Sequence, residues 1–260
     1  MTAPVPDLAG RVVVVTGSSR GIGKGLAIGL AGHGATIVCS ARTVDESTSE
    51  LPGTIGATSD AIGAAGGNAI AVQCDIGNAD DITRLVDTTL AEFGRLDVLV
   101  NNAMTPTRAP FADATVEQWD DSMRVNVRSL FLFTKAVVPA MTNQGGGSII
   151  NVSSGGAEHL SQPFMPPGYM IYVVAKAALE RYTSAVAPEL RGLGITINAL
   201  RPGAVKTEHT TKELGEDSDW SGWKTPESVV PAVAYLATQI GTDFTGRILD
   251  VSGFGVSWPE

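Results

Sequence analysis

In the run YMIYVVAK, Tyr172 and Lys176 stand four residues apart, and Tyr169 lies three before Tyr172. On a helix these spacings put all three side chains on neighbouring faces. A phenol of ordinary pKa, about 10, is too weak an acid to exchange protons readily at neutral pH. An ammonium one turn away stabilises the phenolate and lowers that value. Taken alone, the stretch leaves two readings open: an acid–base pair, or a packed helix whose lysine snorkels to solvent. It also leaves open which tyrosine belongs to the pair.

The elements that must position these groups follow from periodicity. Short β-branched runs at 11–16 (RVVVVT), 36–40 (TIVCS), 69–74 (AIAVQC), 98–101 (VLVN), 148–152 (SIINV), 196–200 (TINAL) and 247–251 (RILDV) read as strands buried on both faces. Helical spacing fills 21–32, 80–93, 116–141, 171–192 and 226–238. The repeated strand–helix–strand order predicts an α/β fold, a doubly wound parallel sheet of about seven strands with helices on both faces. No Pro/Ser-rich linker divides the chain, so residues 1–260 are expected to form a single domain. Three loop-like stretches stand out, at 44–59, 155–168 and 203–224. The last two follow strand C-termini, where ligands of open α/β sheets bind.

The net charge of −9, without a basic cluster, argues against a nucleic-acid partner. No apolar run is long enough to span a membrane. The opening MTAPVPDLAG has no basic region followed by an apolar stretch, which leads us to expect a cytoplasmic protein. Cys39 and Cys74 lie in apolar strand-like runs and read as core residues. His33, His159 and His209 are scattered without a second ligand at metal spacing, so no metal is expected.

TGSSRGIGKGLA, Thr16–Ala27, joins the first strand to the first helix. Gly17 permits a tight turn, Gly21 a close approach of backbone to a ligand, and Gly23 close packing of helix on sheet. The helix start offers free N–H groups and a positive dipole end to a pyrophosphate. The spacing is G-x-x-x-G-x-G. Here the sequence resembles the short-chain dehydrogenase/reductase superfamily, whose motif at this point is TGxxxGxG. The resemblance runs from about Arg11 to Val251. It continues through Asp75, the NNA at Asn101–Ala103, Asn126, Ser154, Tyr172-x-x-x-Lys176 and the Pro202–Gly203 pair.

The resemblance implies a Rossmann-type fold and an oxidoreductase that interconverts a secondary alcohol and a ketone with NAD(P)(H). Cofactor contacts are implied for Gly17, Ser19, Arg20, Gly21, Ile22, Gly23, Arg42, Asp75, Ile76, Asn102 and Ala103. Further along, Tyr172, Lys176, Pro202, Gly203, Val205 and Thr207 complete the set. An acid after the second strand would select NAD by binding the adenosine ribose. Ala41 stands there instead, followed by Arg42, with Arg20 in the glycine loop. Two guanidinium groups suit a 2′-phosphate, so NADP(H) is expected over NAD(H), unless Asp45 or Glu46 folds back onto the ribose.

Tyr172 would protonate the carbonyl oxygen, Ser154 would hydrogen-bond it, and Lys176 would hold the nicotinamide ribose. Asn126 resembles the asparagine that holds a water joining the lysine to solvent. Ser153 reads as a loop hydrogen-bonder. Tyr169, with Val173 four residues on, cannot make the motif; it would face the substrate or pack over the helix start.

Three departures from the family pattern stand out. Met104 replaces the usual glycine after NNA, the Ser154–Tyr172 separation is longer than usual, and residues 44–59 form an added segment, either a surface excursion or an added helix beside the adenosine site. Met104 would either crowd the cofactor pocket or point its flexible side chain toward substrate, and Phe164, Met165 and Tyr169 suggest an apolar substrate. In the family the last strand and tail contribute to a dimer face, so the resemblance implies a homo-oligomer, dimer or tetramer. The competing reading is a catalytically silent nicotinamide-cofactor sensor or scaffold on the same fold.

Overall fold

The computed structural model describes residues 6–158 and 166–259. Seven parallel strands are hydrogen-bonded in the order β3-β2-β1-β4-β5-β6-β7. They are β1 (Val12–Thr16), β2 (Thr36–Ala41), β3 (Asn68–Gln73), β4 (Val98–Asn101), β5 (Gly147–Val152), β6 (Ile195–Arg201) and β7 (Ile248–Asp250). The order steps outward from β1 in one direction and from β4 in the other. The switch point therefore falls between those two strands, where the crevice of such sheets lies.

Both faces of the sheet are covered. One core cluster packs Val13, Val15, Ile37, Val98 and Ile150 with α1 (Gly21–Gly32) and α8 (Val230–Thr238). The other packs Val14, Val38, Leu99 and Ile149 with α3 (Ala79–Phe93) and α5 (Ser129–Asn143). The strands of the centre are buried throughout, as their continuous apolar runs require. β3 departs from that expectation: as an edge strand it alternates between exposed and partly buried. Cys39 and Cys74 are buried free thiols, pushed up by desolvation to about 11 and about 12. Such thiols are inert.

Two helices stand within stretches read as loops. Residues 44–59 include the start of α2 (Ile55–Ala64), capped by the Thr54 hydroxyl, which accepts from Ala57 N–H. Its two glycines and Thr blur the helical period. Residues 203–224 contain α7 (Glu208–Leu214), opened by a reciprocal capping box between Thr207 and Thr210. The long helix expected over 116–141 is broken into α4 (Val116–Met123), a π turn at Arg124–Arg128, and α5. Asn126 sits inside that turn. Finally, α6 (Met170–Arg191) begins directly after Tyr169 and carries Tyr172 and Lys176.

Candidate active site

The glycine loop is held by its neighbours rather than by its own contacts. Gly17 and Gly21 take φ of +70° and +54°, values that side-chained residues rarely adopt. A Cβ at Gly17 would lie 2.9 Å from both Ala103 Cα and the Asn102 amide nitrogen. Asn102 donates through Nδ2 to the carbonyl of Thr16, at 2.9 Å, and its backbone N–H to Thr16 Oγ1, at 3.0 Å. Its side chain thus locks β4 to the loop, and Ala103 closes the floor beneath Gly17. Glu208, the first residue of α7, accepts the Gly21 N–H through Oε2 at 2.9 Å. A carboxylate therefore already uses one of the amides that suit an anion, which shows that the loop is receptive to negative charge.

Arg20 is anchored from the opposite side. It donates through Nη2 to the Gly53 carbonyl, at 2.9 Å, and its buried Nε has no partner among the described residues. Burial, the largest influence, lowers its pKa; Glu208 and Glu46 oppose this and nearby Arg42 adds to it. Arg42 is exposed. Asp45 caps a short turn through Ser47 N–H, and Glu46 accepts from Gly53 N–H at 2.8 Å. Asp75 accepts from Gly77 N–H at 2.9 Å, so it forms a strand-end turn beside the buried Ile76.

Ser154 caps the short turn after β5, accepting from Gly156 N–H at 3.1 Å, and stands near enough to Tyr172 to lower the phenol's pKa against the effect of burial. Ser153 is turned away and donates to Glu180 Oε1 at 2.7 Å, which leaves Ser154 to face the tyrosine. Lys176 is almost fully buried, donates through Nζ to the Val152 carbonyl at 2.7 Å, and lies 6.0 Å from the Tyr172 ring centroid. Burial drives its pKa down to about 8, with Glu180 opposing. The expected lowering of the Tyr172 pKa by Lys176 is corrected here. Burial pushes Tyr172 above its usual value, and the opposing influences are Ser154 and Arg108. The ammonium is directed at Val152 rather than at the phenol oxygen.

Asn126 is also more committed than the sequence suggests. Its Nδ2 donates to Thr105 O (2.9 Å) and Ser122 Oγ (3.0 Å), while its Oδ1 accepts from Thr105 N–H (2.8 Å). With the amide occupied, the side chain positions the loop after β4 and has no donor left for a water.

In the segment after β6, Gly203 has a φ of +80°, Val205 is buried and bridges to Lys224, and Thr207 caps α7 while packing beside Gly21. Pro202 is buried beneath them. Ser19 is buried, Ile22 and Met104 are half-buried. Tyr169 packs edge-on against Tyr172 with centroids 6.3 Å apart, directly before the start of α6. Phe164 and Met165 lie outside the described residues.

The structure thus assembles glycine loop, Asn102, Ser154, Tyr172 and Lys176 at the C-terminal edge of the sheet. The family model for short chain dehydrogenases matches residues 11–218. The chain belongs to the short-chain dehydrogenase/reductase superfamily. It is 36% identical over 255 residues to the 3-oxoacyl-[acyl-carrier-protein] reductase of Synechocystis sp., with 95% of this chain and 97% of that protein covered. A 7α-hydroxysteroid dehydrogenase solved with NADH and 7-oxo glycochenodeoxycholic acid superposes with a TM-score of 0.84 at 28% identity, covering 97% of each chain. A short chain dehydrogenase from Burkholderia cenocepacia in complex with NADP gives 0.79 at 28%, covering 94% of this chain and 96% of that one. Members of this superfamily are oxidoreductases that act on CH–OH groups and bind NAD(P). Among the described residues, no helix is long and apolar enough to cross a membrane, and no group of three or more His, Cys, Asp or Glu could hold a metal ion.

Four charged residues at this short-chain dehydrogenase/reductase site carry no motif signal. Arg108 and Glu213 meet over Tyr169, Glu208 docks on the glycine loop, and Glu180 stands one turn beyond Lys176. Only Glu180 was legible in principle, as an acid four residues after the lysine on a helix.

Proposed function

We propose that the protein is an NADP(H)-preferring carbonyl reductase that interconverts a secondary alcohol and a ketone. The observation that carries this reading is the buried Tyr172, with Ser154 in reach of its phenol and Lys176 one turn on. The ketone oxygen would lie between Ser154 Oγ and the Tyr172 hydroxyl. Ser154 donates a hydrogen bond to it, and Tyr172 transfers its proton as negative charge develops. A phenol with a raised pKa stays protonated until that charge appears, which suits a general acid. Lys176, held by Val152, keeps positive charge beneath the tyrosine. The nicotinamide cofactor supplies the hydride when bound.

The residues present fit a phosphorylated dinucleotide: the Gly21 amide accepts an anion, and Arg20 has an unpartnered Nε beside the exposed Arg42. Pro202, Gly203, Val205 and Thr207 would hold the carboxamide. Exposed apolar residues on or beside α4, α5 and α6, among them Phe111, Val116, Trp119 and Phe131, support a homo-oligomer, which sedimentation would check. The cytoplasm fits this assignment. NADPH oxidation should be screened against ketones, aldehydes, quinones, β-ketoacyl thioesters and steroids. Turnover of a ketone is expected; silence across the panel with NADPH still bound would replace the reading with a cofactor sensor.

A further inference from the structure

We propose that Arg108 recognises a carboxylate on the substrate, so that the compound reduced is an oxo acid rather than a neutral ketone. The inference rests on the carbonyl-reductase reading and names its substrate class. Arg108 lies in the loop after β4, and its guanidinium carbon sits 4.0 Å from the centroid of the Tyr169 ring. That ring packs against Tyr172, and the Arg108 charge is felt at the Tyr172 phenol. The positive charge therefore stands one aromatic ring away from the proton donor, on the substrate side.

The same place already binds a carboxylate. Glu213, on α7, contacts Arg108 and accepts the Tyr169 hydroxyl through Oε1 at 2.6 Å, with His209 Nε2 at 3.9 Å from its other oxygen. A guanidinium stacked on an aromatic ring and a phenol O–H form a planar donor set matched to a carboxylate. Both side chains remain partly open to solvent, 30% for Arg108 and 22% for Glu213, so an incoming acid can reach them. Exchange of Glu213 for a substrate carboxylate keeps the half-buried guanidinium paired and returns Glu213 to water, which avoids leaving an unpaired buried charge. A neutral substrate would gain nothing from Arg108 and would have to pass the Arg108–Glu213 pair.

The test uses the NADPH-loaded protein with straight-chain oxo acids of increasing spacer length, each against its methyl ester. Saturated carboxylates and their amides of the same lengths serve as binding probes by thermal shift. The acids should exceed their esters in kcat/KM by about 10- to 100-fold, and Arg108→Gln should collapse that ratio. Glu213→Gln, which removes the internal competitor, should lower KM for the acids several-fold. A role confined to pinning α7 predicts instead that both variants weaken acids and esters alike, and that result overturns the inference. Equal turnover of acid and ester by the unaltered protein overturns it too, leaving carbonyl reduction intact. If no oxo compound is turned over, Arg108-dependent stabilisation by carboxylates over amides upholds the site while the reductase reading falls; no such difference removes the site.

Discussion

Glu180→Gln should move the alkaline limb of carbonyl reduction to lower pH while also weakening the fold. The Glu180 carboxylate accepts from Ser153 Oγ, Arg201 Nε and Arg201 Nη2 at 2.7, 2.8 and 2.9 Å. It stands one turn from Lys176, whose pKa burial holds near 8 and which Glu180 draws upward. A lone charge at roughly 6 Å in a medium of effective dielectric about 20 is worth about 3 kcal/mol, or about two pKa units. The Arg201 guanidinium cancels most of that, leaving on the order of half to one unit. Without the carboxylate, Lys176 loses its proton at lower pH, and the limb near pH 8 moves down by that amount. The same change leaves Arg201, 11% exposed, with only Glu158 at 3.5 Å and Asp250 at 3.8 Å, both about half exposed. Unfolding free energy should fall by about 2–4 kcal/mol. Arg201→Met is the control, because it also destabilises but leaves Glu180 uncancelled. Lys176 then titrates higher and the limb moves up. The readouts are kcat/KM against pH and urea unfolding. Limbs that stay put, or move the same way in both variants, would refute an electrostatic role for Glu180 and leave it a packing residue.

Three further outcomes follow from the geometry. Tyr172→Phe should lose turnover by about 10²- to 10⁴-fold while NADPH titration by fluorescence gives an unchanged affinity; a variant as fast as the parent removes Tyr172 from the mechanism. Arg42→Ala, at an exposed side chain, should cost NADPH about tenfold in kcat/KM and leave NADH untouched, which paired kinetics would show. Glu208→Gln should tighten NADPH binding several-fold, most strongly at low salt, because the carboxylate on the Gly21 amide competes with a phosphate. Isothermal titration at two ionic strengths checks it, and weaker binding would mean that Glu208 acts only to seat α7.

The sheet was legible because its strands are buried on both faces and read as unbroken β-branched runs. The glycine loop, Ser154, Tyr172 and Lys176 were legible because their spacing is local: a turn, a strand end, one helical turn. What escaped depends on pairings distant in sequence. Glu208 meets Gly21 across 187 residues and Tyr169 meets Glu213 across 44; no periodicity encodes such contacts. α7 escaped for a different reason: its threonines and charges carry a weak helical pattern, and it is fixed by a threonine cap and by docking, with no buried residue of its own. α2 realises the added-helix reading of 44–59, with a threonine cap and with Ile55, Thr58 and Ile62 buried. The expectation of a greasy pocket rested partly on Phe164 and Met165, which lie outside the described residues. Among the described residues, Met104 and Tyr169 remain of that set, and Arg108 stacks on Tyr169.

Asn126 links these two layers of the site. Its amide bonds to both backbone groups of Thr105 and to Ser122, so it fixes the loop three residues before Arg108. The π turn around it changes which main-chain carbonyls find helical partners, since hydrogen bonds there run to the fifth residue rather than the fourth. Both Nδ2 hydrogens are taken, so the Asn126 side chain could hold a water on the way to Lys176 only through the second lone pair of Oδ1. It follows that Asn126→Ala should first disturb the placement of Arg108, raising KM for an anionic substrate more than it lowers kcat. Asn126→Asp keeps the acceptor for Thr105 N–H but sets a carboxylate against Thr105 O. It should therefore be worse than alanine, whereas a residue that merely holds a water through its side chain would tolerate aspartate better. The two variants, compared by KM and kcat on the same oxo acid, decide between a water-holding asparagine and one that builds the substrate wall.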